Sequence, residues 1–160
     1  MPPLEKLSPM SDQLPVDYSL FFKLIKVVNL TAQPFQALAG EPYQLTLNEW
    51  RAMVVLASQP GCNATDIVES TGLDKMSVSR AIHGLEKHGR VRKTADLLDQ
   101  RKAKLSLTAD AKRLYAKIGA QAKQREITLF SGLKDQEMQQ LGTTLDKIIL
   151  ALRSSETKEV

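Results

Sequence analysis

The segment from residue 63 to residue 108 constrains the fold more than any other, because the period of its hydrophobic pattern changes at Gly89. Before Gly89 the apolar residues recur every three or four positions, as in helices, and after it they alternate with polar residues, as in strands. Asn63 and Asp74 occupy N-cap positions, and the turn-forming Thr71-Gly72-Leu73 lies between them. The sequence therefore predicts a short helix, a tight turn, a second helix and a small antiparallel hairpin. The first helix is expected to run through Ser70 and to bury three side chains: Ala64, Ile67 and Val68.

The second of these helices, from Asp74 to about His88, has two chemically different faces at about 100° per residue. Its apolar face consists of Val78, Ala81, Ile82 and Leu85. Its opposite face carries Met76, Arg80, His83 and Lys87, flanked by Ser77 and Ser79. Small hydroxyl groups and a forked guanidinium suit the base edges of a DNA major groove, and Lys75 at the helix start suits a phosphate. A solvated basic surface is the alternative for this helix taken alone.

The predicted hairpin makes a DNA-binding interpretation more specific. Its first strand alternates at Val91, Lys93 and Ala95, and its second runs from Lys102 through Leu107, with Ala103, Leu105 and Leu107 on one face. In the loop between them, Arg101 is placed to reach an adjacent minor groove, where narrow A·T tracts attract arginine. Asp99 is placed to hold that guanidinium by a charge-assisted hydrogen bond, or else serves as a plain turn former. Lys102 adds a further cation beside Arg101.

The positive charge of the chain is concentrated in this same region. Residues 74–104 contain nine basic and four acidic residues, a net charge of +5. Because the whole chain carries +4, the remainder carries −1. A polyanionic partner is the direct electrostatic explanation, since lysine and arginine that neutralise phosphates release counterions.

The flanking regions are predicted to be helical, which makes the fold mainly α: a winged helix-turn-helix head of three helices and a two-stranded wing, with N- and C-terminal dimerisation helices. We expect a flexible lead-in over residues 1–15, an N-terminal dimerisation helix within 16–44, the winged-helix region over 45–108, C-terminal dimerisation helices over 109–154 and a tail over 155–160. An apolar stripe extends from Val16 to Leu38, and Thr46 with Glu49 forms a capping box. Thr108 begins a helix that continues to about Phe130. The last helix carries a heptad seam, which packs against a second copy or, as the alternative, only within its own chain: Met138, Leu141, Leu145, Ile148 and Leu152.

Several motifs resemble those of the MarR (multiple antibiotic resistance regulator) family of bacterial transcription factors. Residues 65–73 (TDIVESTGL) resemble the family's helix before the turn, and residues 75–80 (KMSVSR) with 85–89 (LEKHG) resemble its recognition helix. Residues 99–101 (DQR), followed by Leu107-Thr108, are similar to the family's wing motif and the start of its next helix. The resemblance covers about Val16 to Leu152, with Ala111 standing where the family usually has glycine.

This resemblance implies a role for each motif. Ser77, Ser79 and Arg80 would contact the major groove, while Arg101, supported by Asp99, would enter the minor groove. A homodimer built on the terminal helices would bind double-stranded DNA at an inverted repeat, because a two-fold dimer places its recognition helices about one DNA turn apart. Repression relieved by a ligand is the usual mode of such proteins, and activation is the alternative.

A small aromatic or phenolic effector is also implied by the resemblance. The candidate lining residues come from the helices that would surround such a site, and ordinary core packing is the alternative for each of them. They are Tyr18, Phe22, Trp50, Met53 and Tyr115.

The sequence disfavours an enzyme and calls for neither a cofactor nor a metal. The two histidines, His83 and His88, are five residues apart and so lie on different helix faces, unlike the i, i+4 pair of a helical zinc site. No apolar run reaches the length of a membrane span, the N-terminus does not resemble a signal peptide, and the single Cys62 fits a reducing cytoplasm. A winged-helix protein-interaction module, or a redox-responsive regulator without a small-molecule ligand, remains the alternative function.

Overall fold

The structure, a computed structural model, describes residues 19–95 and 103–156. The chain divides into two compact units, with the boundary between Tyr115 and Ala116. The predicted lead-in and most of the predicted tail lie outside the described residues. The architecture is mainly helical with one two-stranded sheet, as the sequence predicts.

The N-terminal helix is shorter than the predicted stripe. Helix α1 spans Leu20–Ala32 and is capped by Ser19, whose hydroxyl accepts the Phe22 N–H at 3.4 Å. The prediction of one helical stripe to Leu38 is wrong, because α1 ends just before Pro34, which has no N–H to continue the helical ladder. A π-helical turn (Gln36–Gly40) and the short helix α2 (Glu41–Tyr43) follow.

Helix α3, Leu47–Ser58, begins at the predicted capping box. The Thr46 hydroxyl accepts the Glu49 N–H at 3.2 Å, and the Glu49 carboxylate accepts the Thr46 N–H at 2.6 Å. Most of the buried residues of α3 are apolar and form the centre of the first unit: Ala52, Met53, Val55 and Leu56.

Helices α4 (Ala64–Thr71) and α5 (Lys75–Lys87) pack on α3 and on each other. Asn63 caps α4 and Gly72 ends it in the left-handed conformation, as predicted. The prediction that Ala64 faces inward is wrong: it is exposed in the first turn of α4, while Ile67 is buried and Val68 half-buried. The apolar face predicted for α5 is buried in full: Val78, Ala81, Ile82 and Leu85.

The predicted hairpin consists of β1 (Val91–Ala95) and β2 (Ala103–Leu107), paired antiparallel with Val91 opposite Leu107. Leu105 and Leu107 are buried, which anchors the base of the hairpin on the core. The backbone of Leu105 also pairs with the loop after α3: its carbonyl accepts the Gly61 N–H and its N–H donates to the Cys62 carbonyl, both at 2.9 Å.

Helix α6 spans Ala109–Phe130 and helix α7 spans Asp135–Glu156. The Thr108 hydroxyl accepts the Ala111 N–H at 3.3 Å at the start of α6. Four of the five predicted seam residues of α7 are exposed in the single chain and Leu145 is half-buried.

Candidate nucleic-acid interface

The outer face of α5 carries the side chains that the sequence assigns to DNA. Lys75, Met76, Ser79, Arg80, His83 and Lys87 are all exposed, and Ser77 is half-buried. Because the opposite face of α5 is locked into the core, these side chains project from a helix of fixed orientation. A rigid helix is the support that base recognition requires.

A chain of hydrogen bonds organises the first turn of α5. Asp74 caps the helix by accepting the Ser77 N–H at 2.8 Å, and its second oxygen accepts the Ser77 hydroxyl at 2.6 Å. The guanidinium of Arg80 donates to that hydroxyl oxygen at 3.2 Å. The Ser77 hydroxyl and N–H hydrogen bonds lower the pKa of Asp74, so the carboxylate stays ionised beside Arg80. Ser77 therefore positions Arg80 in addition to its predicted place on the DNA-facing side.

An open groove of about 470 Å³ lies between α4, α5 and the hairpin. Lys75, Ser79 and His83 of α5 line one side, and Lys93 of β1 lines the other. The Lys93 ammonium is 2.8 Å from a carboxylate oxygen of Glu86 on α5, so an ion pair joins the hairpin to the helix. The groove continues the basic outer face of α5 toward the hairpin.

Three of the predicted DNA contacts, Asp99, Arg101 and Lys102, lie outside the described residues, as does the predicted ligand residue Tyr18. Their assignments stay predictions.

The remaining predicted ligand residues are found in three different environments. Trp50 and Tyr115 are half-buried and stack, with ring centroids 5.3 Å apart and planes inclined by 25°. Met53 is fully buried, which is the environment of a core residue, and Phe22 on α1 is half-buried. The structure thus brings Trp50 and Tyr115 together, and their role in ligand binding stays a prediction.

Sequence reasoning missed three residues that hold α5 in place. Glu49 is buried on α3 although it is charged, and a Cβ atom built on Gly84 of α5 would lie only 1.9 Å from its Oε1. The third is Arg90, whose guanidinium donates to the carbonyls of Tyr43 and Gln44. The capping box pointed to Glu49, but no local pattern pointed to its contact with α5.

Within residues 19–95 and 103–156, a redox, metal or membrane site would require a reactive cysteine thiol, clustered metal ligands or a long apolar helix. Burial, and next the negative charge of Asp66, raise the pKa of the Cys62 thiol, which disfavours the reactive thiolate. No group of three or more His, Cys, Asp or Glu side chains in this part of the chain is arranged to hold a metal ion. None of the helices described there has the length and apolar character needed to span a membrane.

A helix-turn-helix followed by a two-stranded antiparallel hairpin defines the winged-helix class. A sequence model of the MarR family matches residues 45–103 of this chain. The matched residues run from just before the first unit's central helix α3 to the beginning of β2, and this part of the chain is similar to the MarR family.

Individual proteins are similar to this chain in sequence or in fold. The homoprotocatechuate degradative operon repressor of Escherichia coli is 26% identical over 118 residues, which are 74% of this chain and 79% of the repressor. The fold is similar to a MarR/EmrR family transcriptional regulator from Acinetobacter sp. ADP1 (TM-score 0.80, 24% identity, 88% of this chain and 99% of that one). It is also similar to Bordetella bronchiseptica BpsR, whose DNA binding is regulated by 6-hydroxynicotinic acid (TM-score 0.74, 23% identity, 85% and 96% coverage).

Proposed function

We propose that this protein is a sequence-specific DNA-binding repressor that binds an inverted-repeat operator as a homodimer in the cytoplasm and is released by a small aromatic or phenolic ligand. The single observation that carries the proposal is the two-sided character of α5. Four apolar residues fix one face in the core, while hydroxyl and basic side chains stand exposed on the other.

Base recognition follows from that geometry. Arg80, held by Ser77 and Asp74, presents a planar fork that matches the two acceptors of guanine in the major groove. Lys75, at the start of α5, contacts a phosphate. Arg101, which lies between β1 and β2 in the sequence, extends the contact into the minor groove in this proposal.

The homodimer is supported by apolar surface that a single chain leaves in water. Leu20, Phe21 and Val28 of α1 are more than half exposed, and so are Leu150 and Leu152 of α7. Exposed apolar side chains in such number on one helix are typical of an interaction surface. A second copy is the proposed occupant, because the spacing of the α7 seam is that of a helix–helix interface.

The proposal is tested by charge reversal on the DNA-facing side. Arg80→Glu combined with Arg101→Glu should weaken binding to genomic fragments enriched by the wild type at least about 100-fold, because each base contact contributes about 1–3 kcal/mol. Arg113→Glu combined with Arg125→Glu makes the same charge change on the exposed side of α6 and should retain binding. Sedimentation should find both variants dimeric. If the first pair binds like the wild type, the protein is not a DNA-binding regulator of this kind.

The ligand is tested separately with small aromatic acids. Trp50 is the only tryptophan, and it stacks on Tyr115, so its fluorescence reports on binding near that pair. An effector should quench Trp50 and release DNA over the same concentration range. If no such acid changes either signal, the ligand part of the proposal is wrong while the DNA-binding part stands.

A further inference from the structure

A hydrogen-bonded junction joins two segments that are far apart in the sequence. The Arg90 guanidinium donates to two consecutive backbone carbonyls, through Nη1 to Gln44 at 3.0 Å and through Nη2 to Tyr43. These acceptors precede Arg90 by 46 and 47 residues and lie at the C-terminal end of α2, where the connection to α3 begins. The arginine therefore reaches from the end of α5 to the segment that follows the π-helical turn.

The backbone of Arg90 stands where three elements meet. Its N–H donates to the Leu85 carbonyl of α5 at 2.8 Å, and its carbonyl accepts the Thr108 N–H at 3.0 Å, just before α6. The Thr108 hydroxyl donates to the Gly89 carbonyl at 2.9 Å. Since β1 begins at Val91, a displacement of Arg90 moves the end of α5 and the base of the hairpin together.

The acceptor side of the junction is held in an unusual conformation. Gln44 has a φ of 46°, and among the described residues it is the only non-glycine in the left-handed region. L-residues adopt this region at a cost, so it persists where surrounding contacts hold it. The two hydrogen bonds from Arg90 are such contacts. The π-helical geometry of Gln36–Gly40 just upstream is itself rare and frequent at functional sites.

A second contact ties the start of α3 to α5. The carboxylate of Glu49, which accepts the Thr46 N–H, lies against Gly84 so closely that no side chain fits between them. Burial lowers the pKa of Arg90, and the negative charge of Glu49 raises it. The guanidinium keeps its charge, and the attraction between the two groups supports the junction.

We propose that Arg90 is a positioning residue that fixes α5 and the hairpin base to the α2–α3 connection, so that DNA binding depends on the conformation of residues 36–44. The inference rests on the proposed DNA-binding function. A conformational change in residues 36–44 would therefore shift α5 and with it the DNA-contacting side chains.

The test replaces Arg90 with methionine, which keeps much of the length of the side chain and removes both hydrogen bonds. Arg90→Met should weaken DNA binding about tenfold, the effect of losing charge-assisted hydrogen bonds. The dependence of log affinity on log salt should keep its slope, because a positioning residue neutralises no phosphate. Hydrogen exchange should accelerate both at residues 43–45 and at residues 88–91. Arg113→Met, which removes an exposed arginine from α6, should change neither property.

Arg90→Lys serves as the second variant, because it keeps the charge and loses the fork. Arg90→Lys should also weaken DNA binding, and the slope of log affinity against log salt should stay unchanged. A slope reduced by about one in Arg90→Met would mean that Arg90 contacts a phosphate directly, which overturns the inference. Wild-type affinity and exchange in both variants would overturn it as well. Failure of the wild type itself to bind DNA would instead refute the proposed function, while the exchange measurement would still test the junction.

Discussion

Helices α1 and α5 have the same length, 13 residues, and opposite relations to the rest of the chain. Each begins at a side-chain N-cap, Ser19 in α1 and Asp74 in α5. Helix α5 buries four apolar residues in its own unit, whereas no residue of α1 is buried in the part of the chain that the structure describes. The apolar residues of α5 therefore encode the fold of one chain, while those of α1 stay largely exposed among the described residues, as the proposed assembly with a second chain requires.

The largest expected effect comes from the core face of α5. Leu85 is fully buried, so Leu85→Ala should lower the free energy of unfolding by about 2–5 kcal/mol through lost burial and a residual cavity. Urea denaturation at two protein concentrations measures it, and the loss should be the same at both. Met76→Ala, on the exposed face of the same helix, should change stability by less than about 0.5 kcal/mol. Equal losses for the two variants would contradict the two-sided description of α5.

The next largest expected effect is on the dissociation constant of the proposed dimer and comes from α1. Leu24 and Val28, one helical turn apart, are both exposed in the single chain. Leu24→Glu with Val28→Glu should raise the dimer dissociation constant at least about 100-fold, because it places charge in a desolvated interface. Sedimentation velocity over a dilution series measures it. Lys23→Glu with Lys26→Glu is the matched control on α1 and should dimerise more strongly than the first pair. If the Leu24 and Val28 variant remains a dimer like the wild type, α1 is not part of the interface.

Two helix glycines have different surroundings, Gly84 of α5 in a tight contact and Gly142 of α7 in open space. Gly84→Ala should cost about 1–3 kcal/mol, because the new Cβ displaces the buried Glu49 carboxylate. Gly142→Ala in α7, where no described atom beyond the neighbouring residues and the helix's own backbone lies within 4 Å of the new Cβ, should stabilise the helix by about 0.5–1 kcal/mol. Thermal unfolding of the two variants tests this prediction, which fails if the two changes have the same sign.

The smallest expected effect on stability comes from the N-cap residues, Asp74 of α5 and Ser19 of α1. Because the pKa of Asp74 is lowered in the folded state, its ionised form stabilises α5 above the unfolded pKa, and this contribution is lost as the pH falls below about 4. Asp74→Asn keeps an N-cap acceptor but does not titrate, so its melting temperature should fall less than that of the wild type between pH 5 and about pH 3. Ser19→Asn at the start of α1 should leave that pH dependence unchanged. Parallel curves for the wild type and Asp74→Asn would contradict the assignment.

Local signals in the sequence predicted the starts of α3, α4, α5 and α6, the two faces of α5 and the hairpin. Thr46 with Glu49, Asn63 and Asp74 are caps whose partners lie within three residues, so spacing alone identifies them. The buried face of α5 follows from helical periodicity. These features depend on neighbours in the chain, and the structure confirms them.

Features that depend on distant partners were not predictable in this way. The bonds from Arg90 to Tyr43 and Gln44 span more than 40 residues, and the sequence assigns Arg90 only to a basic cluster. The π-helical turn after Pro34 interrupts a hydrophobic pattern that by itself favours a continuous helix. The DNA-binding roles of Arg101 and Asp99 and the ligand-binding role of Trp50 stay predictions.

The pairing of Leu105 with Gly61 and Cys62 also bears on aggregation. A strand edge with unpaired amide and carbonyl groups invites strands from other molecules. The chain covers the outer edge of β2 at its buried centre with its own loop. On β1, the consecutive residues Arg92 and Lys93 carry positive charges, which discourage edge-to-edge association with another strand. The described strands of the hairpin therefore offer little free edge on which strands from other copies could pair.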